Sequence, residues 1–148
     1  MAGSAWSPSA EPDPAAARLV AEEGESGQEN DASLVLMLTV AGVRILLTGD
    51  LGAPAEARLR TSGADLRADV LKVPHHGSAR QDEAFLAATG ARVAIASAGV
   101  DNDYGHPAPR TVQLAQGLGM TVLATNRNGA VAIRGHAATL SAVTQRVP

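Results

Sequence analysis

The chain has no cysteine. That single absence excludes disulfides, thiolate metal ligands and thiol nucleophiles. Any metal centre must be built from His, Asp, Glu and water, donors that suit zinc, manganese or iron. Aromatic side chains are almost missing too. Trp6, Phe85 and Tyr104 are the whole set, so a core has to be assembled from Val, Leu, Ile and Ala. No run of Lys or Arg occurs, and 12 basic against 15 acidic residues leave a net charge of -3. This argues against tight non-specific nucleic-acid binding through a basic surface, but a nucleic acid held mainly by metal ions remains open. The longest apolar region, 34–47, is split by Ala41-Gly42 and carries Arg44. It is too short and too interrupted to span a bilayer. The first residues lack the basic start and apolar centre of a signal peptide, so the expectation is a soluble polypeptide. Glycine-rich phosphate loops of the GxGxxG or Walker type are absent as well.

What remains divides in two. Residues 1–29 hold Pro8, Pro12 and Pro14, with Glu22, Glu23 and Glu25, and read as a flexible leader in which Ala15 to Glu23 is the only helical stretch. Residues 30–148 read as one domain. Ser33 to Val40 and Val43 to Thr48 are β-rich runs joined by Ala41-Gly42, a hairpin signal, and their near-continuous apolarity predicts that both faces are covered. Pro54 and Gly63 bracket a helix. Val70 to Val73 is the next strand. Ser78 with Gln81 suggests a capping box for a helix ending before Gly90. A strand follows over Val93 to Ala96, then a helix from Pro109 to Gln116. Val122 to Thr125 and Ala130 to Arg134 read as a closing strand pair around Asn126-Arg127-Asn128-Gly129, and His136 to Pro148 as a weak terminal segment. Strands alternating with helices indicate an α/β layered domain.

Three polar clusters follow apolar strands. Asp50 ends Ile45-Leu46-Leu47-Thr48-Gly49; its competing role is to cap the next helix. His75 and His76 end Val70-Leu71-Lys72-Val73-Pro74 and precede Gly77-Ser78. Two adjacent imidazoles after a buried strand point to function, with His76 the favoured metal ligand and His75 its supporting or substrate-side neighbour. Ser78 fits a helix cap better than a nucleophile, since no triad surrounds it. Asn102, Tyr104 and His106 form the third cluster; His106, restricted by Pro107, could act as a general acid or bind a phosphate, and could equally only secure the loop. Arg110 could pair with phosphate or be surface charge. His136 stands alone and is expected to be exposed.

Taken together, Asn30-Asp31-Ala32-Ser33-Leu34-Val35-Leu36, Leu46-Leu47-Thr48-Gly49-Asp50, Leu71-Lys72-Val73-Pro74-His75-His76-Gly77-Ser78 and Asn102-Asp103-Tyr104-Gly105-His106-Pro107 resemble the C-terminal metallo-β-lactamase-like domain of ComEC-type DNA-uptake proteins of natural competence. His-His-Gly-Ser specifies the wider superfamily; the Asn-x-Tyr-Gly-His-Pro loop points to the ComEC type. The resemblance implies a four-layer αββα sandwich and a hydrolase that cleaves DNA phosphodiesters with two divalent ions, zinc or manganese. It makes Asp50 and His76 metal ligands, His75, His106 and Asn102 catalytic, and Ser78, Tyr104 and Arg110 substrate-binding. Single-stranded DNA is the implied substrate. The implied parent is a membrane channel protein, with this domain on the extracytoplasmic side. The superfamily's His-x-His-x-Asp-His stretch is missing, so the expectation is the C-terminal half of such a domain. Two alternatives stay open: another hydrolase of this fold acting on a small ester, phosphodiester or lactone, and an inactive fragment that needs a partner half.

Overall fold

A computed structural model describes residues 28–146. The expected leader, with its possible helix over Ala15 to Glu23, lies outside the described residues except for 28 and 29, which open a four-residue helix, α1 (Gln28–Asp31).

The hairpin forms as its turn chemistry predicts. Strands β1 (Leu36–Val40) and β2 (Val43–Leu47) pair antiparallel with Val40 opposite Val43. Ala41 and Gly42 both take positive φ, 50° and 77°, the backbone that a two-residue turn needs to match strand twist. Three β-α-β units then extend the sheet. Helix α2 (Ala53–Thr61) leads to β3 (Val70–Lys72), α3 (Glu83–Thr89) to β4 (Val93–Ala96), and α4 (Pro109–Gly117) to β5 (Thr121–Ala124). The strand order is β1-β2-β3-β4-β5, parallel from β2 onward. The molecule is therefore a mixed α/β fold built on a mixed sheet.

Side chains alternate across that sheet as strand geometry requires. Leu46, Leu71, Ala94 and Ala96 face the helices, where Phe85 and Leu86 of α3 and Ala115 of α4 close a buried core. Val43, Val70 and Val93 face the other way, with Ile45, Ile95 and Leu123. They meet Ile133 of a second, two-stranded antiparallel sheet of β6 (Val131–Arg134) and β7 (Ser141–Thr144), and Leu140 just before β7.

Four expectations need correction. The strand near Val122 and the strand near Ala130 do not pair with each other; β5 joins β4, and β6 joins β7. Between them Thr125–Asn128 forms a helical turn, α5. The buried Asn128 carboxamide accepts the Ala124 N–H at 2.8 Å and closes that turn, which redirects the chain into the second sheet. The terminal segment is thus an ordered strand rather than a weak tail. Helix α3 begins later than expected: Asp82, not Ser78, is its N-cap, accepting the Phe85 N–H at 2.6 Å. Finally, β1 is not covered on both faces. It is the edge strand, and Leu38 and Val40 are exposed among the described residues.

Candidate functional site

Every polar cluster singled out above hangs from the carboxyl end of a parallel strand. Asp50 follows β2, His75 and His76 follow β3, the loop from Ser97 to His106 follows β4, and Thr125 and Asn126 follow β5. Because neighbouring parallel strands end together, their following loops crowd one sheet edge, where crevices form in open α/β sheets.

The β3 loop is strained in a specific way. His75 (φ 46°, ψ 50°) and His76 (φ 53°, ψ 15°) are both left-handed, and Gly77 follows at φ 82°. Left-handed backbone costs a non-glycine residue roughly 1–2 kcal/mol, so two in succession must be held by their surroundings. Several contacts hold them. The His75 N–H donates to Gly49 O at 3.3 Å, and Gly77 O accepts the Ala108 N–H at 2.8 Å. A Cβ on Gly77 would sit 2.7 Å from Pro107 Cβ, so the His106-Pro107 segment is packed directly on this turn.

The result brings Asp50 and His76 together, Oδ1 to Nε2 at 3.3 Å. His76 Nδ1 lies 2.6 Å from Ser97 O. A carbonyl oxygen only accepts, so Nδ1 carries a proton and Nε2 is the nitrogen turned toward the carboxylate. Two lone pairs at that distance repel unless a proton or a cation lies between them. Two donors bound tetrahedrally to one zinc ion lie about 3.4 Å apart for ordinary Zn–N and Zn–O lengths. The pair therefore fits one edge of a metal's coordination shell. No group of three or more His, Cys, Asp or Glu able to hold a metal occurs among the described residues.

Lys72, which sequence reasoning passed over, completes this corner. Its Nζ is 3.3 Å from Asp50 Oδ1 and also donates to Gly49 O, while Thr48 Oγ1 donates to Lys72 O at 2.7 Å. One residue of β3 thus fixes both the carboxylate and the turn that carries it. The available signal was the lone charge inside an otherwise apolar strand.

His106 stands beside this pair. Its ring centroid is 5.7 Å from that of His75 and 5.8 Å from that of Tyr104. Burial, helped by the neighbouring His75 and His76, lowers its pKa below the ordinary histidine value and leaves it neutral near pH 7. Asn102 touches no reacting group in this arrangement. Its Oδ1 accepts the His106 N–H at 2.7 Å, and its Nδ2 donates to Gly99 O and His106 O at 2.8 and 2.9 Å. That pattern makes Asn102 a positioning residue for the loop.

A cavity of about 450 Å³ is lined by His76, Ser97, Asn102, Tyr104, His106 and Thr125. Ser78 lines a second one with His75 and Arg80, on the other side of the histidine turn. There Ser78 Oγ donates to Arg80 O and accepts from Gln81 Nε2, both at 3.2 Å. Arg110 is not brought to either; it lines a separate depression with Gln81 and Glu83. His136 is exposed, as expected.

No family model matches the chain, and no solved structure does. Curated relatives do match. ComE operon protein 3 of Bacillus subtilis (strain 168) is 38% identical over 114 residues, 76% of this chain and 15% of that protein. Competence protein ComA of Neisseria gonorrhoeae is 33% identical over 111 residues, 74% of this chain and 16% of that protein. An uncharacterized protein, YcaI, of Escherichia coli (strain K12) is 30% identical over 109 residues, 72% of this chain and 14% of its own length. The chain therefore spans only about a seventh of the length of these relatives. Two relatives named for competence, each aligned over some three quarters of the chain, support a ComEC-type competence family for it.

Proposed function

We propose that the chain forms part of a metal-dependent phosphodiesterase of metallo-β-lactamase-like architecture that cleaves DNA during natural transformation. The observation that carries this reading is the Asp50–His76 pair, 3.3 Å apart, with the histidine's other nitrogen tied to a backbone carbonyl. A ligating histidine is usually oriented in this way. The second sheet packed on the face opposite the helices supports the αββα sandwich, and the competence-named relatives support the DNA substrate and a membrane-borne parent protein. Among the described residues no helix is long and apolar enough to cross a membrane.

Asp50 and His76 would hold the ion. The bound ion supplies activation of a water and stabilisation of the charge that develops on phosphate. Lys72 keeps the Asp50 carboxylate oriented. His106, neutral near pH 7, receives a proton at its ring from the water or returns it to the leaving oxygen. His75 packs edge-on against the His76 and His106 rings.

Calorimetric titration with Mn²⁺ and Zn²⁺ tests the reading, alongside cleavage of a labelled single-stranded oligonucleotide. The wild-type chain is expected to bind at micromolar concentration. Asp50→Ala and His76→Ala should each weaken binding at least tenfold with an unchanged circular dichroism spectrum. If the wild type binds neither metal and cuts no strand, the reading fails for this chain. Hydrolysis of a small ester or lactone, but not of DNA, transfers the site to small substrates.

A further inference from the structure

Tyr104 is the sole tyrosine of the chain, and its side chain is 83% exposed. Large exposed aromatics are unremarkable on a mobile loop, but this loop is held at several points. The three Asn102 bonds close it on itself, Asn126 Nδ2 donates to His106 O at 3.3 Å, and Thr125 Oγ1 ties Ala98 from both its N–H and its C=O. One face of the Tyr104 ring is packed: it stacks on His106 with an interplanar angle of 25°. Edge-on contacts then continue from it, since His106 meets His75 and His75 meets His76, whose Nε2 faces Asp50. A row of four rings therefore runs from the surface to the carboxylate. Its outermost member shows a free face beside the 450 Å³ cavity.

Charge narrows what that face can receive. Asp101 and Asp103 both precede Tyr104 in the same loop, and a phosphate approaching them is repelled. A polyanion is held here more readily through an uncharged planar group than through its phosphates. From this we infer that Tyr104 is a stacking platform for an unpaired nucleobase next to the phosphate presented to Asp50 and His76. Stacking of a base on an aromatic side chain tolerates every base and is worth roughly 1–3 kcal/mol, or about tenfold in affinity toward the lower end of that range. The site thereby selects single strands and flipped-out bases over paired duplex. The inference rests on the nucleic-acid reading given above, and it adds the contact that recognises the strand.

With one tyrosine in the chain, its ring protons are assignable in a proton NMR spectrum without ambiguity. The test titrates the chain, with diamagnetic Zn²⁺ present, with a short single-stranded oligonucleotide and with the same oligonucleotide carrying abasic sites throughout. The expected result is an upfield ring-current shift of the Tyr104 signals with the first and none with the second. Tyr104→Phe should keep the affinity within about twofold, and Tyr104→Ala should lose about tenfold. If amides around the cavity shift equally with both oligonucleotides while the Tyr104 ring stays put, the strand is held by its backbone and this inference falls alone. If no signal moves with either, the nucleic-acid reading falls with it.

Discussion

Glu56 provides the sharpest quantitative test of the fold that carries the site. It lies in the first turn of α2, yet its side chain is completely buried. Oε2 accepts the Asp82 N–H at 2.6 Å, at the start of α3, while Oε1 meets no donor among the described residues. Burial is the main cause that raises its pKa from 4.5 to about 7; the Asp82 N–H pulls the other way, and the Asp82 and Asp31 charges add to the rise. The folded chain thus keeps this proton up to about pH 7, whereas the unfolded chain releases it near 4.5. Between those values the folded state binds more protons, so stability falls as pH rises. The contribution is fully present below pH 4.5 and lost above about 7. A shift of that size corresponds to about 3 kcal/mol. Glu56→Gln retains an acceptor for the Asp82 N–H and has no proton to lose. Urea unfolding followed by circular dichroism at pH 4 and pH 8 measures the effect. Relative to wild type, the variant should gain up to about 3 kcal/mol between those two values. All other titrating groups are shared and cancel in the difference. A wild-type-to-variant difference that stays constant across the range would refute the reasoning, because it would mean that water reaches the carboxylate.

Two further perturbations address the loops. Gly77→Ala forces a side chain into left-handed backbone and onto Pro107; a loss of about 1–2 kcal/mol from the backbone alone is expected, read as a lower thermal midpoint together with shifted amide signals in 97–108. An unchanged midpoint would show that the two loops are not packed against each other. Asn102→Ala removes three hydrogen bonds to the loop, each worth about 1 kcal/mol. Hydrogen exchange at the Gly105 and His106 amides should accelerate roughly tenfold or more, while metal affinity stays as in the wild type because Asp50 and His76 are untouched.

Much of the architecture was legible because periodicity and turn chemistry agreed. Apolar runs of four or five residues, bounded by Gly, Pro or Asp, became β2 to β5, and Ala41-Gly42 made the hairpin. The proximity of Asp50 and His76 followed from both residues ending adjacent parallel strands. What periodicity does not specify is the partner of a strand. Val131 to Arg134 was recognised as a strand but assigned to the wrong neighbour, because the Asn128 side chain that turns the chain away acts only in three dimensions. Ser78 and Gln81 do bond to each other, but inside a loop rather than at a helix start, since Asp82 is the residue facing the free N–H of Phe85. Glu56 sits in a first helical turn, where an acidic residue is commonplace. Its burial depends on α3 packing over α2, which no local pattern reports.

The way the site hangs from the sheet has a consequence for how the chain folds. Its groups belong to four successive strands whose paired residues lie about 25 residues apart along the chain, and such non-local parallel pairing slows folding because each closure loses entropy before contacts return it. No single hairpin or helix can nucleate the histidine turn opposite Asp50. The corner should therefore be among the last parts to take shape and among the first to vanish when the sheet is weakened. In kinetic experiments, ligand competence should lag behind the recovery of secondary structure.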